Sequence, residues 1–193
     1  MKNLILFGMV VLLASCQQQQ APGVKNEVQP SAVRADWQSS FQQQLPLLGH
    51  RNWILVVDQA FPLQSAGAME YIYTGRSMAE VLSYVLPELK TMGHVKPMVY
   101  RDKEWDYQTE TNCPGKSALD RQLAPLLAGE QVNTILHEAV FGKLDQSAKL
   151  FKVLVLKTNE KLAYSSVFLE LDCAYWDAAK ESRLREAMQA GAK

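Results

Sequence analysis

Cysteine and histidine are scarce in this sequence, with three of each among 193 residues. They fall into no Cys-x-x-Cys or Cys/His spacing suited to zinc, so no metal site is expected. Charge of one sign is also lacking, since 20 Lys and Arg balance 20 Asp and Glu. That balance gives no electrostatic reason to expect nucleic acid or an anionic lipid surface as a partner. No apolar run reaches the roughly 20 residues a membrane-spanning helix needs, and no internal repeat is visible. Gly115-Lys116-Ser117 has the end of a phosphate-binding loop. The glycine that loop requires at position 110 is absent, and Glu110 stands there, which excludes the motif.

What is present begins with a leader. Lys2 precedes an apolar run over residues 4–13, then the small residues Ala14 and Ser15, then Cys16. This is the layout of an export signal, too short to span a bilayer. The tetrad Leu13-Ala14-Ser15-Cys16 resembles the lipobox of bacterial lipoproteins, in which the thiol is acylated and the chain is cut just before it. The expectation is a signal peptide over residues 1–15 and a lipidated Cys16 that anchors the protein to a lipid bilayer, diacylation supplying the more than one chain that stable attachment needs. Gln17, in place of a retaining aspartate, favours the outer over the inner membrane. Residues 17–35 are rich in Gln and Pro and poor in large apolar groups, as in a flexible tether. The remaining residues, 36–193, make one domain of ordinary size. Within it Cys113 and Cys173 are the only thiols, and an exported compartment permits them either to pair or to remain apart.

Along the domain, helical and extended patterns alternate. Trp37, Phe41 and Leu45 are four apart, the face of a helix ending before Pro46. Residues 53–57 form a short apolar, β-branched run, read as a buried strand that leaves Asp58 at its carboxyl end, the edge at which open α/β sheets bind ligands. Ser77 and Glu80 have the spacing of a capping box for a helix to about Met92, with Pro87 as a kink or early end. A second strand is expected at residues 97–100, a polar loop at 105–115, and a helix capped by Ser117 to Ala128. Strands at 132–136, 151–156 and 166–171, helices at 138–150 and 176–189, complete an α/β layered domain. His94 reads as a surface turn residue, Trp176 as a core tryptophan, and Asp177 as a helix-start acid.

Two histidines flank strands: His50 before the first and His137 after residue 136. An imidazole exchanges protons near neutral pH. His50 and Asp58 stand at opposite ends of a five-residue strand, so their spacing alone makes no dyad unless the Gly49 loop bends back over the sheet.

Leu48-Gly49-His50, the run Ile54-Leu55-Val56-Val57-Asp58 and Ala60-Phe61-Pro62 together resemble the opening signature of the ribose pyranase and fucose mutarotase family, including its eight-residue interval from histidine to aspartate. Thr158-Asn159-Glu160, Tyr164 and Val167-Phe168-Leu169 are similar to that family's closing segment, and Leu136-His137-Glu138 with Phe141 resembles the histidine of the ribose pyranase branch. The resemblance implies a three-layer α/β/α fold, ring-shaped homo-oligomers with sugar sites near subunit contacts, a monosaccharide partner, and interconversion of sugar ring or anomeric forms without a cofactor. Opening a cyclic hemiacetal needs one group to remove the anomeric hydroxyl proton and another to protonate the ring oxygen. The resemblance gives His50 the proton transfer, with Asp58 orienting it or binding a hydroxyl, and gives His137 and Tyr164 the second proton and the grip on the ring. Glu70, Lys157 and Ser166 fall where the family contacts substrate. Glu70 reads more plainly as a solvated loop acid, Lys157 replaces an arginine and loses its fork, and Ser166 replaces an asparagine. Beside the enzyme stand two rivals: a noncatalytic monosaccharide-binding lipoprotein, and an interaction lipoprotein whose working surface is the loop at 105–115.

Overall fold

A computed structural model describes residues 36–65 and 67–191. The expected signal peptide, Cys16 and the tether lie outside these residues.

Six strands form one sheet in the order β2-β5-β1-β6-β3-β4, with β1 Trp53–Val57, β2 Met69–Tyr73, β3 Val95–Asp102, β4 Val132–Ile135, β5 Val153–Lys157 and β6 Val167–Cys173. β5 runs parallel to β1 and β2, β4 runs parallel to β3, and β6 lies antiparallel between β1 and β3. Every strand but β6 therefore ends at the same edge. β1 is buried at all five positions, which is why it reads as an unbroken apolar run.

Alternate side chains enter two different layers. Ile54, Val56, Leu154, Leu156, Val167 and Leu169 pack with helices α1 (Trp37–Gln44), α2 (Met78–Thr91) and α3 (Lys116–Leu127). Trp53, Leu55, Val57, Val153, Val155 and Phe168 face the other way, onto Val140 and Leu144 of α4 (His137–Ser147) and onto Phe61. The result is the three-layer α/β/α arrangement expected, one layer being a single helix and a loop. A last helix, α5 (Ala178–Gly191), has no buried residue.

The capping box of α2 is formed: Glu80 N donates to Ser77 Oγ at 3.3 Å and Ser77 N donates to the Glu80 carboxylate at 2.9 Å. Pro87 does not end the helix, because the loss of about 3 kcal/mol from an internal proline is set against six buried apolar side chains on the same helix.

Several expectations need correction. β2 was not anticipated, and β3 begins earlier and ends later than residues 97–100. Ser117 does not cap α3; Gly115 precedes the helix at φ 100°, and Glu110 accepts the Gly115 and Ser117 amides at 2.6 and 2.9 Å. Those two amides hold the Glu110 carboxyl down at about 2. The loop at 105–115 is anchored in the core: Trp105 is 1% exposed and its Nε1 donates to Asp120 at 2.7 Å. Trp176 is not a core residue, being 40% exposed with its Nε1 on Glu181 at 2.8 Å. His94 is half-buried, its ring nitrogens 2.9 and 3.1 Å from the Met92 and Leu48 carbonyls. Asp177 does start α5, accepting Lys180 N at 2.7 Å. Cys113 and Cys173 are both free, Cys113 in the core.

Candidate functional site

The carboxyl ends of the parallel strands and the start of β6 meet at one edge, the edge where open α/β sheets place their ligands. Asp58 follows β1, Asp102 ends β3, His137 opens α4 just after β4, and Tyr164 and Ser166 lead into β6. Four separate chain segments thus converge.

Asp58 is held firmly. Its Oδ1 accepts the Ala60 amide at 2.8 Å, the local turn for which aspartate suits a strand end. Ser166 Oγ donates to Asp58 Oδ2 at 2.9 Å and accepts the Asp58 amide at 3.2 Å. Ser166, 2% exposed, therefore braces the carboxylate from the neighbouring strand.

His137 is the first residue of α4, where its free amide is accepted by Glu104 at 3.0 and 3.2 Å, a cap supplied from another segment. Its ring packs 4.8 Å from Phe141, one turn along, and 5.2 Å from Tyr164 at an interplanar angle of 89°. Tyr164 sits at φ 62°, a conformation rare for a bulky residue, in the turn ahead of β6. On the far side, His137 Nδ1 lies 3.1 Å from Asp102 Oδ2, an ion-pair distance though out of line for a well-formed hydrogen bond. Asp102 is 1% exposed, and burial pushes its carboxyl up to about 6 although His137 pulls it back down. Glu104 and Asp58 add to the rise as like charges.

Asp58, Ala60, Phe61, Pro62, His137, Phe141, Ala163 and Tyr164 enclose an open cleft of about 200 Å³. Phe61 and Phe141 stack 5.6 Å apart as its apolar floor. Most ligand pockets enclose roughly 300–1,000 Å³, so this cleft suits a small polar molecule with one apolar face. The arrangement offers a carboxylate, an imidazole and a phenol within one small space, enough for acid and base work without a metal.

Of the residues expected from the sequence, the fold brings Asp58, His137, Tyr164 and Ser166 together. Lys157 ends β5 at this edge, but its Nζ donates to the Phe61 carbonyl at 2.8 Å and holds the cleft's loop in place. Glu70 is elsewhere: it is the second residue of β2, on the layer opposite α4, accepts from Gln44 at 2.7 Å and pairs with Lys152 at 2.8 Å. His50 is also elsewhere. The strand between it and Asp58 is unbroken, five residues at about 3.3 Å each, so within one chain Asp58 does not orient His50. His50 instead lies at the opposite edge, its side chain 53% exposed and 3.8 Å from Asp172. Asp102 and Glu104 were missed. Their only signal is the acid-rich stretch between β3 and α3, which reads as solvated.

No family model and no curated protein sequence matches the chain. Solved structures do. Bacillus subtilis RbsD complexed with D-ribose superposes with a TM-score of 0.50 at 17% identity, over 69% of this chain and 92% of that one. The fucose mutarotase of Streptococcus pneumoniae in complex with L-fucose gives 0.49 at 13% identity, over 74% and 98%. The chain therefore has the α/β fold of RbsD, and its motifs resemble the ribose pyranase and fucose mutarotase family to which that fold belongs.

Proposed function

We propose that this protein binds a free monosaccharide in the cleft between Asp58, His137 and Tyr164 and interconverts its ring or anomeric forms by acid and base catalysis. The observation that carries the reading is the convergence of those three side chains, from three separate segments, on one small cleft at the carboxyl edge of the sheet. His137 takes the anomeric hydroxyl proton, Tyr164 and Asp58 hold the ring and its hydroxyls, and the Phe61–Phe141 pair takes the apolar sugar face. The open carbonyl form then recloses on its other face or through another hydroxyl. No cofactor enters this chemistry.

The cleft is open, and His50 belongs to the opposite edge of its own chain. In this reading His50 serves the cleft of a neighbouring copy in a homo-oligomer, which supplies the missing wall and the second proton-transfer group. The lipobox-like tetrad at Cys16 supports a protein tethered by lipid in the cell envelope, and Gln17 favours the outer membrane, where it acts on sugar outside the cytoplasm.

The test is saturation-transfer NMR on the full chain in detergent with ribose, fucose, galactose and glucose at equilibrium. Enhanced exchange is expected for one sugar, lost in His137→Ala. Mixed His50→Ala and His137→Ala chains are expected to regain about a quarter of the activity if each cleft draws on two copies. Absence of exchange with every sugar sinks the catalytic reading.

A noncatalytic sugar-binding protein is the second reading. Ser166 and Lys157 favour it, since both spend their polar atoms on the protein, on Asp58 and on the Phe61 carbonyl. Sugar binding without exchange is its outcome in the same experiment.

A further inference from the structure

Asp102 does not line the cleft, yet it is the most thoroughly buried acid beside it. A carboxylate that lies 1% exposed is costly unless something answers its charge. Among the described residues neither of its oxygens has a well-formed hydrogen bond, and the side chain within ion-pair distance of it is His137, whose Nδ1 lies 3.1 Å from Oδ2. Arg101 points into the other layer, where its guanidinium stacks 5.3 Å over Trp105. Asp102 is therefore not explained as half of a structural arginine pair. What it faces is one edge of the imidazole that the cleft presents from its other edge.

A carboxylate beside one imidazole nitrogen favours the tautomer that carries the proton on that nitrogen and leaves the other with its lone pair outward. We propose that Asp102 is the positioning residue of His137, holding its proton on Nδ1 so that Nε2 faces the cleft as a base and, once protonated, as an acid. This deepens the proposed function and rests on it. The surroundings agree at each point. Glu104 fixes the backbone of His137 through its amide, and Phe141 and Tyr164 confine the ring from two sides. The buried carboxylate approaches from β3, on a different element from the one that carries the imidazole, so the ring cannot turn over without leaving its partner uncompensated. The charged and titratable groups around the pair are Glu104, Asp58, Tyr164 and, behind Asp102, Arg101.

The inference is open to a test that does not depend on catalysis. Long-range ¹H–¹⁵N correlation on the full chain, labelled at histidine, reports the tautomer of each imidazole, and the His50→Ala and His94→Ala chains identify the His137 signals. His137 is expected as the Nδ1–H form in the wild-type chain at neutral pH. In Asp102→Asn that preference should vanish, and sugar exchange should fall by about 100-fold, within the range of a general base's contribution, with its pH profile displaced. A wild-type His137 that is mainly Nε2–H, or a tautomer ratio unchanged in a folded Asp102→Asn chain, overturns the assignment. If Asp102→Asn does not fold, the wild-type tautomer alone decides. Failure of the wild-type chain to exchange any sugar, with the Nδ1–H form present, instead sinks the catalytic reading and leaves the positioning role standing.

Discussion

Replacing Asp102 by asparagine should make the fold more stable above pH 6 while impairing the site. In the native chain burial raises this carboxyl from 3.8 to about 6, net of the pull from His137. A raised acid means that the native state binds the proton more tightly than the unfolded chain does. Stability therefore falls as pH climbs through the interval between the two values, and the penalty is complete above about pH 6. At about 1.4 kcal/mol for each pH unit of displacement, the full penalty is about 3 kcal/mol. Asparagine has nearly the same shape and never ionises, so the variant escapes it. Urea unfolding of both chains from pH 4 to pH 7.5 should show near-equal stability at the acid end and a growing advantage for D102N, reaching about 3 kcal/mol. With a slope of about 2 kcal/mol/M, that is a midpoint difference of about 1.5 M. Groups remote from Asp102 titrate alike in both chains and cancel in the difference. A difference that stays flat with pH, or one that favours the native chain above pH 6, would refute the claim that this carboxylate is held under strain in the folded state.

Two further outcomes follow from the packing. Ser77→Ala removes the side-chain half of the α2 capping box and should cost about 1 kcal/mol, read as a lower urea midpoint with no change in sugar binding. Trp105→Ala should cost about 3–5 kcal/mol because the ring is 1% exposed, whereas Trp176→Ala should stay within about 0.5 kcal/mol; thermal unfolding of the pair separates a core anchor from a surface tryptophan.

The elements that announced themselves in the sequence are those whose local chemistry coincides with their tertiary role. β1 is apolar at every position because both of its faces are covered. Ser77 and Glu80 satisfy each other within one turn, so nothing distant is needed to recognise them. β2 escaped because it is an edge strand: Met69 is its one buried residue, and Glu70 and the 57% exposed Tyr73 blur its alternation. Glu110 replaced Ser117 as the cap of α3 for a similar reason, since a cap reached from several residues away leaves no mark at the usual spacing. Asp102 is the hardest site residue to read from the sequence. It lies among Arg101, Lys103, Glu104 and Asp106, a stretch with every sign of a solvated turn, and only the return of the chain at His137 shows that one of these acids is buried against an imidazole.

On the proposed reading, in which His50 serves the cleft of a neighbouring copy, the division of the candidate residues between two edges of the sheet constrains the assembly. The carboxyl edge holds Asp58, His137 and Tyr164, and the amino edge holds His50. A two-fold pairing of like edges brings two clefts together or two copies of His50 together, never one to the other. A head-to-tail contact lays the amino edge of one copy on the carboxyl edge of the next, and such a contact closes into a ring where its rotation permits and otherwise runs on as a filament. Both edges carry the exposed apolar side chains that such a contact would cover: Leu136, 58% exposed beside the cleft, and Leu47 and Leu150, 76% and 80% exposed at the other end. The eight-residue interval between His50 and Asp58, which within one chain only spans the sheet, becomes under this arrangement the distance from one catalytic interface to the next.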